Sequence, residues 1–365
     1  MGSLRFTRVS IVVLLLVVIS VAILSESSVV RAQQNGVSPA ISTAQTTLAQ
    51  CFDAARAAES AGANISSLTS VLNSAGVQLS NAELAYSSGN SGLATSLASQ
   101  SQSSLGGFLS DATALKSSAE ARSNLQTLLF VGSIVGIFAV IGASAAVWVL
   151  LKRKNGNRAQ KVNLTQYKVL FIVVTAVVSL LVASPALQRV SVYPQTQFFT
   201  ELSLLGSGHM ADNYPFDITL NANYTAFIGL TNQLGSAAYY QIEVKFANET
   251  QSAPSNVNST TSGQPSLYNL AAFVANKESL EIPVNFGFDY SFQNDAQTVN
   301  FDSLMLNGQT LNLQGYSSNL NSQTNVFYGN LIFELWIYNS TFGGFQYNNR
   351  FVNLELNMTS IGMGN

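Results

Sequence analysis

Seven carboxylates in the second half of the chain, Glu201, Asp212, Asp217, Asp289, Asp302, Glu334 and Glu355, are the side chains whose type could do chemistry. A pair of them could hydrolyse a glycoside, one as acid and the other as base or nucleophile. With backbone carbonyls they could instead hold calcium. Their spacing fits neither template, and isolated acids on strands are ordinarily solvated. General acid–base work needs a pKa tuned by burial or a close charge. The remaining inventory is thin. His209 is the one histidine and Cys51 the one cysteine, which leaves little material for imidazole catalysis or metal binding and none for an intramolecular disulfide. There is no Gly-rich phosphate loop and no nucleophile elbow. Arg350, between Tyr347 and Phe351 across two asparagines, reads as a salt-bridge partner of Glu334 or Glu355 rather than a ligand clamp. Cys51 could link two chains as an unpaired thiol, but a small buried helix residue is its commoner role. These residues predict no enzyme, no cofactor and no metal.

The elements that would position these groups are organised by the membrane. Residues 128–151 and 169–187 are nearly uncharged apolar runs, each long enough for a bilayer core of roughly 30 Å. Between them lie Lys152, Arg153, Lys154, Arg158 and Lys161, with Lys168 at the second edge. These are six of the 16 Lys and Arg in the chain. Basic residues in short loops mark the cytoplasmic side. The expectation is therefore two transmembrane helices, 126–151 and 168–187, joined by a basic cytoplasmic loop at 152–167. Arg5 and Arg8 precede an apolar run at 11–24, and Val30-Arg31-Ala32 offers a small-residue cleavage site. Residues 1–32 thus read as a signal peptide or an uncleaved signal anchor.

Residues 33–125 are rich in Ala, Ser, Leu and Gln and predict an extracytoplasmic helical hairpin or bundle. Ser38-Pro39 starts the first helix and Gly62-Ala63-Asn64 ends it. Ser66 can cap a second helix, in which Leu68, Leu72, Ala75, Leu79 and Ala82 recur at spacings of three and four. A third, from Leu93, can run directly into the membrane span. Small residues allow close approach but bury little area, so the bundle should be thin. Gly132 and Gly136 form a small-xxx-small helix-packing face, whose default partner is the chain's own second span.

Residues 188–365 change character. Val284, Phe286, Phe288 and Tyr290 alternate with Asn285, Gly287 and Asp289, as a strand with one buried face requires. Ile242, Val244 and Phe246 alternate in the same way with Gln241, Glu243 and Lys245, and Leu354, Leu356 and Met358 with Glu355 and Asn357. Asn307-Gly308 between apolar runs is a hairpin signal. Together these predict a C-terminal antiparallel β-sandwich, with residues 248–265 as a long solvated loop. Beyond Val190 the chain has three cations, Lys245, Lys277 and Arg350, against twelve carboxylates. That acidic exterior argues against nucleic acid as a partner. Asn64, Asn223, Asn248, Asn258, Asn339 and Asn357 begin sequons on the outer side, and Asn163 begins one in the cytoplasmic loop, where it should stay bare.

Ser184-Pro185 closing a span, then Phe199-Thr200-Glu201-Leu202-Ser203-Leu204-Leu205-Gly206 and Met210-Ala211-Asp212-Asn213-Tyr214-Pro215, resemble the archaeal membrane family catalogued as domain of unknown function 1616. The closing residues 345–359 are similar to that family's last segment. The resemblance spans roughly residues 164–359 and implies an archaeal cell envelope and a sandwich outside the membrane. It implies no activity. The chain thus reads as a multi-pass plasma-membrane protein with both large domains extracytoplasmic. Its expected role is an envelope scaffold with a helical stalk, contacting the lipid bilayer and a surface-layer protein, glycan or neighbouring complex. Two alternatives stay open: a non-catalytic accessory subunit of a membrane enzyme or transporter, and a carboxylate-dependent surface hydrolase.

Overall fold

The computed structural model describes residues 38–156, 168–190, 198–293 and 297–359. The signal segment at 1–32, Asn163 and most of the basic loop lie outside them. Among the described residues five helices precede ten strands. The helices are α1 (Pro39–Ser60), α2 (Ser66–Ser87), α3 (Ser91–Ser104), α4 (Phe108–Gly156) and α5 (Lys168–Val190). Pro39 opens α1 at its first turn, where a missing N–H costs nothing, and Gly62 leaves the helix with φ +90°. Ser66 does not cap α2. Ile65 holds the cap position, and Asn64 Oδ1 accepts from Ser66 N–H at 2.9 Å instead. The expected third helix is broken. Gly106 and Gly107, the latter at φ +81°, separate α3 from α4, and α4 then runs on for 49 residues without interruption.

Within Ser91–Leu150 lies a stretch long and apolar enough to cross a membrane, with mean hydropathy 2.3 and only 6% of it buried. Two such helices are expected from the sequence, and one is found among the described residues. The apolar part of α5, Lys168–Ser184, is a shorter helix, below the ~20 residues a span ordinarily needs. The two helices pack antiparallel, since Gly136 faces Val182, Ser144 faces Thr175 at 3.3 Å, and Trp148 meets Phe171 with ring centroids 5.5 Å apart.

The strands are β1 (Thr200–Leu205), β2 (Asp217–Thr219), β3 (Tyr224–Asn232), β4 (Ala238–Ala247), β5 (Tyr268–Val274), β6 (Ser279–Phe292), β7 (Thr298–Leu306), β8 (Gln309–Asn321), β9 (Val326–Asn339) and β10 (Gly344–Thr359). They follow an open path β1-β3-β6-β7-β8-β9-β10-β2, with β4 on β9 and β5 on β4. Every pairing is antiparallel except β10 with β2. β8 meets β9 only through Leu320↔Phe327 and Asn321↔Val326, so the path bends there. Across the bend, Phe246 of β4 meets Phe288 of β6 and Phe301 of β7, with centroids 5.6 and 4.8 Å apart. The alternating positions of the sequence supply this interior: Ile242, Val244, Phe286, Phe288, Leu331, Phe333 and Leu356 are all buried. Asn307 and Gly308, at φ 48° and 80°, turn β7 into β8 as a tight hairpin demands.

The helical module packs onto the sheet. A second hydrophobic cluster joins Ile41, Leu48, Phe52, Leu72 and Leu79 to Tyr239, Phe273 and Ala275. Phe52 of α1 touches Tyr239, Phe273 and Tyr338, with centroids 5.8, 5.9 and 6.3 Å apart. α2 lies along β5, the outermost strand on that side. Asn73 donates Nδ2 to Phe273 O at 2.9 Å and accepts from Phe273 N–H at 2.8 Å, while Ser80 Oγ accepts from Ala271 N–H at 3.2 Å. Side chains of a helix thus complete the ladder of an edge strand, whose free N–H and C=O groups would otherwise invite another chain. Gly76 permits the approach, because a Cβ there would sit 2.9 Å from Ala271 Cβ.

Candidate functional site

The face of β4 and β9 opposite the shared interior is where sequence and structure part most sharply. Alternation assigns Gln241, Glu243 and Lys245 to water, and Glu334 reads as a solvated strand acid or a partner of Arg350. Instead Glu334 is fully buried, and the side chains of Lys245 and Glu243 are 5% and 17% exposed. Register places Glu243 directly opposite Glu334. Two carboxylates that close repel, and Lys245 resolves the conflict: its Nζ lies 2.7 Å from Glu334 Oε2 and 3.1 Å from Glu243 Oε2. The second Glu334 oxygen accepts from Ser262 N–H at 2.6 Å. Ser262 belongs to the 248–265 segment, which is therefore not a freely solvated loop. Pro254 and Ser262 are buried, Ser255 and Thr260 bridge to each other, and Asn256 O accepts from Asn349 Nδ2 at 3.2 Å.

Aromatic and amide groups flank the ionic cluster. β10 carries an insertion between Tyr347 and Arg350, with Asn349 at φ 57°. Trp336 and Tyr347 meet there with centroids 5.6 Å apart. Trp336 Nε1, Tyr347 Oη and Asn349 Oδ1 are buried without a hydrogen-bond partner. Burial, reinforced by the charge of Glu334, pushes the Tyr347 phenol up to about 12. Arg350 does not pair with Glu334 or Glu355. Its Nε donates to Thr200 O at 3.2 Å, because Lys245 already occupies Glu334 and the insertion turns Arg350 toward β1.

What this cluster can do is hold a loop. Each carboxylate oxygen of Glu334 has a donor, and the ammonium group lies between two acids. A buried pair so satisfied is mainly a device for position, since desolvation offsets much of its attraction. The other six acids, Glu201, Asp212, Asp217, Asp289, Asp302 and Glu355, are exposed. Asp217 accepts from Asn357 Nδ2 at 2.8 Å, which fixes the β2–β10 pairing. Among the described residues no three His, Cys, Asp or Glu side chains converge as a metal site would require. His209 sits on the surface, stacked on Phe227 and 2.7 Å from Glu281. Cys51 is buried in α1, and burial raises its thiol pKa.

A further carboxylate, Glu83 of α2, was invisible to motif reasoning. It accepts from Gln45 Nε2 at 2.8 Å between helix and sheet, and burial raises its pKa. Glu59 ends α1 by accepting from Asn276 N–H at 2.7 Å and from Ala237 N–H, so one side chain ties two sheet turns to the bundle.

The sequons divide into two groups. Asn64, Asn223 and Asn258 are exposed. Asn248, Asn339 and Asn357 are half-buried, and their Nδ2 groups donate to Ser317 O, Gln346 Oε1 and Asp217 Oδ1. Of the two glycines, Gly136 lies against Val182, whereas Gly132 has no neighbour within 4 Å of where a Cβ would stand.

Residues 194–312 match the model of a family described as Domain of unknown function (DUF1616). The match takes in residues 199–206 and 210–215; the similar segment at 345–359 lies beyond it. No curated protein matches the chain. Among solved structures, it is similar to a β-glucosidase from Listeria innocua in complex with glucose, at 9% identity over 46% of this chain and TM-score 0.22. The chain spans only 17% of that enzyme. It is also similar to the CARDB domain of a Pyrococcus furiosus protein in complex with di-metal ions, at 9% identity, 47% of this chain, 97% of that one and TM-score 0.23. The chain is thus a membrane-associated protein with a helical region and an antiparallel sheet domain, of which residues 194–312 overlap the match to that family.

Proposed function

We propose that this protein is an anchored scaffold of an archaeal-type cell envelope, crossing the membrane twice and holding its helical module and a β-sandwich together outside the cell. The observation that carries the reading is the hydrophobic cluster shared by α1, α2, β4 and β5. Segments before and after a membrane helix can share a core only if both lie on one side. Crossings must then come in pairs. In this reading α5, antiparallel to α4 and 23 residues long in all, supplies the return although its apolar part is short, and the basic residues from Lys152 to Lys168 support a cytoplasmic turn. The rings that meet between β4 and β6 or β7 support a two-layer sandwich. The exposed acids lack the burial that tuned catalysis needs, which supports a role without turnover. Partners are the bilayer and a surface-layer protein, glycan or neighbouring membrane complex, with nucleic acid disfavoured by the acidic exterior.

A second reading is a non-catalytic accessory subunit of a membrane enzyme or transporter. The open space beside Gly132 favours it, since close helix approach is what such a residue allows. Protease added to intact cells tests the topology: cutting at Lys154 from outside would overturn the two-pass arrangement. Purification in mild detergent separates the two roles, because stoichiometric recovery with a transport or glycosylation enzyme would favour the accessory subunit.

A further inference from the structure

The sheet domain has two chemically different ends. β1 starts and β3 stops at one of them, where Thr200 pairs with Asn232; β4 starts and β5 stops there too, where Ala238 pairs with Val274. The β9–β10 turn projects from the same end, since Tyr240 lies opposite Ile337 and Asn339 opposite Gly344. Here Phe198 is 66%, Phe342 65% and Phe199 40% exposed. Phe198 lies against Gly235, where a Cβ would come within 2.8 Å of the ring. Lys277 occupies the β5–β6 turn and Arg350 reaches Thr200 O. The third cation of the domain, Lys245, is buried, so both exposed ones share this end with the rings. Asp217, Glu249, Asp289, Asp302 and Glu355 lie toward the opposite end, while the acids at the aromatic end are Glu201, Glu278, which accepts from Ser66 Oγ, and Glu281, which pairs with His209.

Two chain connections limit how far the aromatic end can lie from the membrane. Glu59 holds the 237 and 276 backbone, and the neighbouring Ala57, Ser60 and Ala61 face Lys116, Glu120, Ser123 and Asn124 of α4. The apolar run begins at Leu128, about 6–18 Å farther along α4 at 1.5 Å per residue. On the other side, Phe198 follows the end of α5 at Val190 by eight steps of chain, a reach of at most about 26–29 Å. The interfacial layer beyond the hydrocarbon is itself about 5–8 Å deep.

We propose that this end is a foot resting in the interfacial layer of the bilayer that α4 and α5 span, with Phe198, Phe199 and Phe342 among the upper acyl chains and Lys277 and Arg350 on lipid phosphates. The inference rests on the membrane-spanning reading above. Phe, like Trp and Leu, buries its side chain at the boundary between headgroups and acyl chains on interfacial faces, and long cations extend to the phosphates while their stems stay in apolar surroundings.

The test uses the full chain with Cys51→Ser, carrying one spin label at Phe342→Cys, Val257→Cys or Ile141→Cys, in phosphatidylcholine–phosphatidylglycerol bilayer discs. Val257 is 93% exposed and Ile141 lies in α4. Collision with oxygen, which partitions into lipid, is compared with collision with a water-soluble nickel chelate. The oxygen-to-nickel ratio at position 342 should exceed that at 257 severalfold, and Lys277→Glu should lower it without changing position 141. A label at 342 as open to nickel as the one at 257, with 141 in lipid, overturns the foot and leaves the spans intact. A label at 141 open to nickel overturns the spans themselves.

Discussion

Replacing Lys245 by Met should expose how much the buried cluster controls. The methionine keeps most of the apolar stem, so packing changes little and the charge is what is lost. Glu334, fully buried, would keep only the Ser262 N–H and would face Glu243 across the strand pair. Breaking a buried ion pair by removing one partner costs about 3–5 kcal/mol. In a domain of 150–250 residues each kcal/mol lowers Tm by about 2–4 °C, so a fall of roughly 6–20 °C is expected. Lys245→Met combined with Glu334→Gln removes both charges, and its loss should be well below that of the single variant. Thermal unfolding in detergent gives the energies, and limited proteolysis follows residues 248–265, which should be cut faster in the single variant. A loss under about 1 kcal/mol would refute the ionic account.

Gly76→Leu should cost about 1–3 kcal/mol through overpacking against Ala271 and Phe273, read as a lower Tm; an unchanged Tm would mean that α2 does not lie on β5. Glu83→Gln should raise Tm at pH 7, since burial raises the folded pKa of Glu83 and a fold that must ionise it loses stability as pH climbs through the interval above the ordinary carboxylate value. Below that interval both states are protonated and the two proteins should converge; destabilisation at pH 7 would contradict the argument. Site-resolved mass spectrometry should find glycan at Asn64, Asn223 and Asn258 in preference to Asn248, Asn339 and Asn357, whose amides are engaged, and equal occupancy would show that modification precedes folding.

The strands were legible because one face of each meets the shared interior: Phe286, Phe288 and Tyr290, or Leu354, Leu356 and Met358, alternate as the pleat requires. Local chemistry also announced the Pro39 start, the Gly62 exit and the Asn307-Gly308 turn. The other face of β4 misled. Tyr239, Gln241, Glu243 and Lys245 have the polarity of a solvated row, but helices and residues 248–265 cover them, and period-two patterning cannot distinguish water from a polar lid. The covering residues were equally silent. Asn73, Gly76 and Ser80 look like indifferent positions of an Ala/Ser-rich helix, and their meaning lies in β5, some 190–200 residues away. The Gly106-Gly107 break was readable in principle, since adjacent glycines end helices, but the apolar spacing on both sides masked it.

The same contacts decide what kind of object the helical module is. Its interior is largely Ala44, Ala55, Ala58, Ala75, Ala82, Ala94 and Ala98, side chains too small to bury much area. Phe52, the largest buried side chain of α1, spends its ring contacts on Tyr239, Phe273 and Tyr338 of the sheet. The bundle therefore draws stability from the sheet, and the sheet gains a cover for the β5 edge. Proteins with an open sheet edge risk pairing with one another, so a helix that satisfies Ala271 and Phe273 removes a route to aggregation as well as stiffening the domain. A module coupled in this way transmits load at the sheet to α1, α2 and then α4. Such mechanical continuity from the sheet to the apolar helix is what the proposed scaffold role requires and a freely hinged stalk would lack.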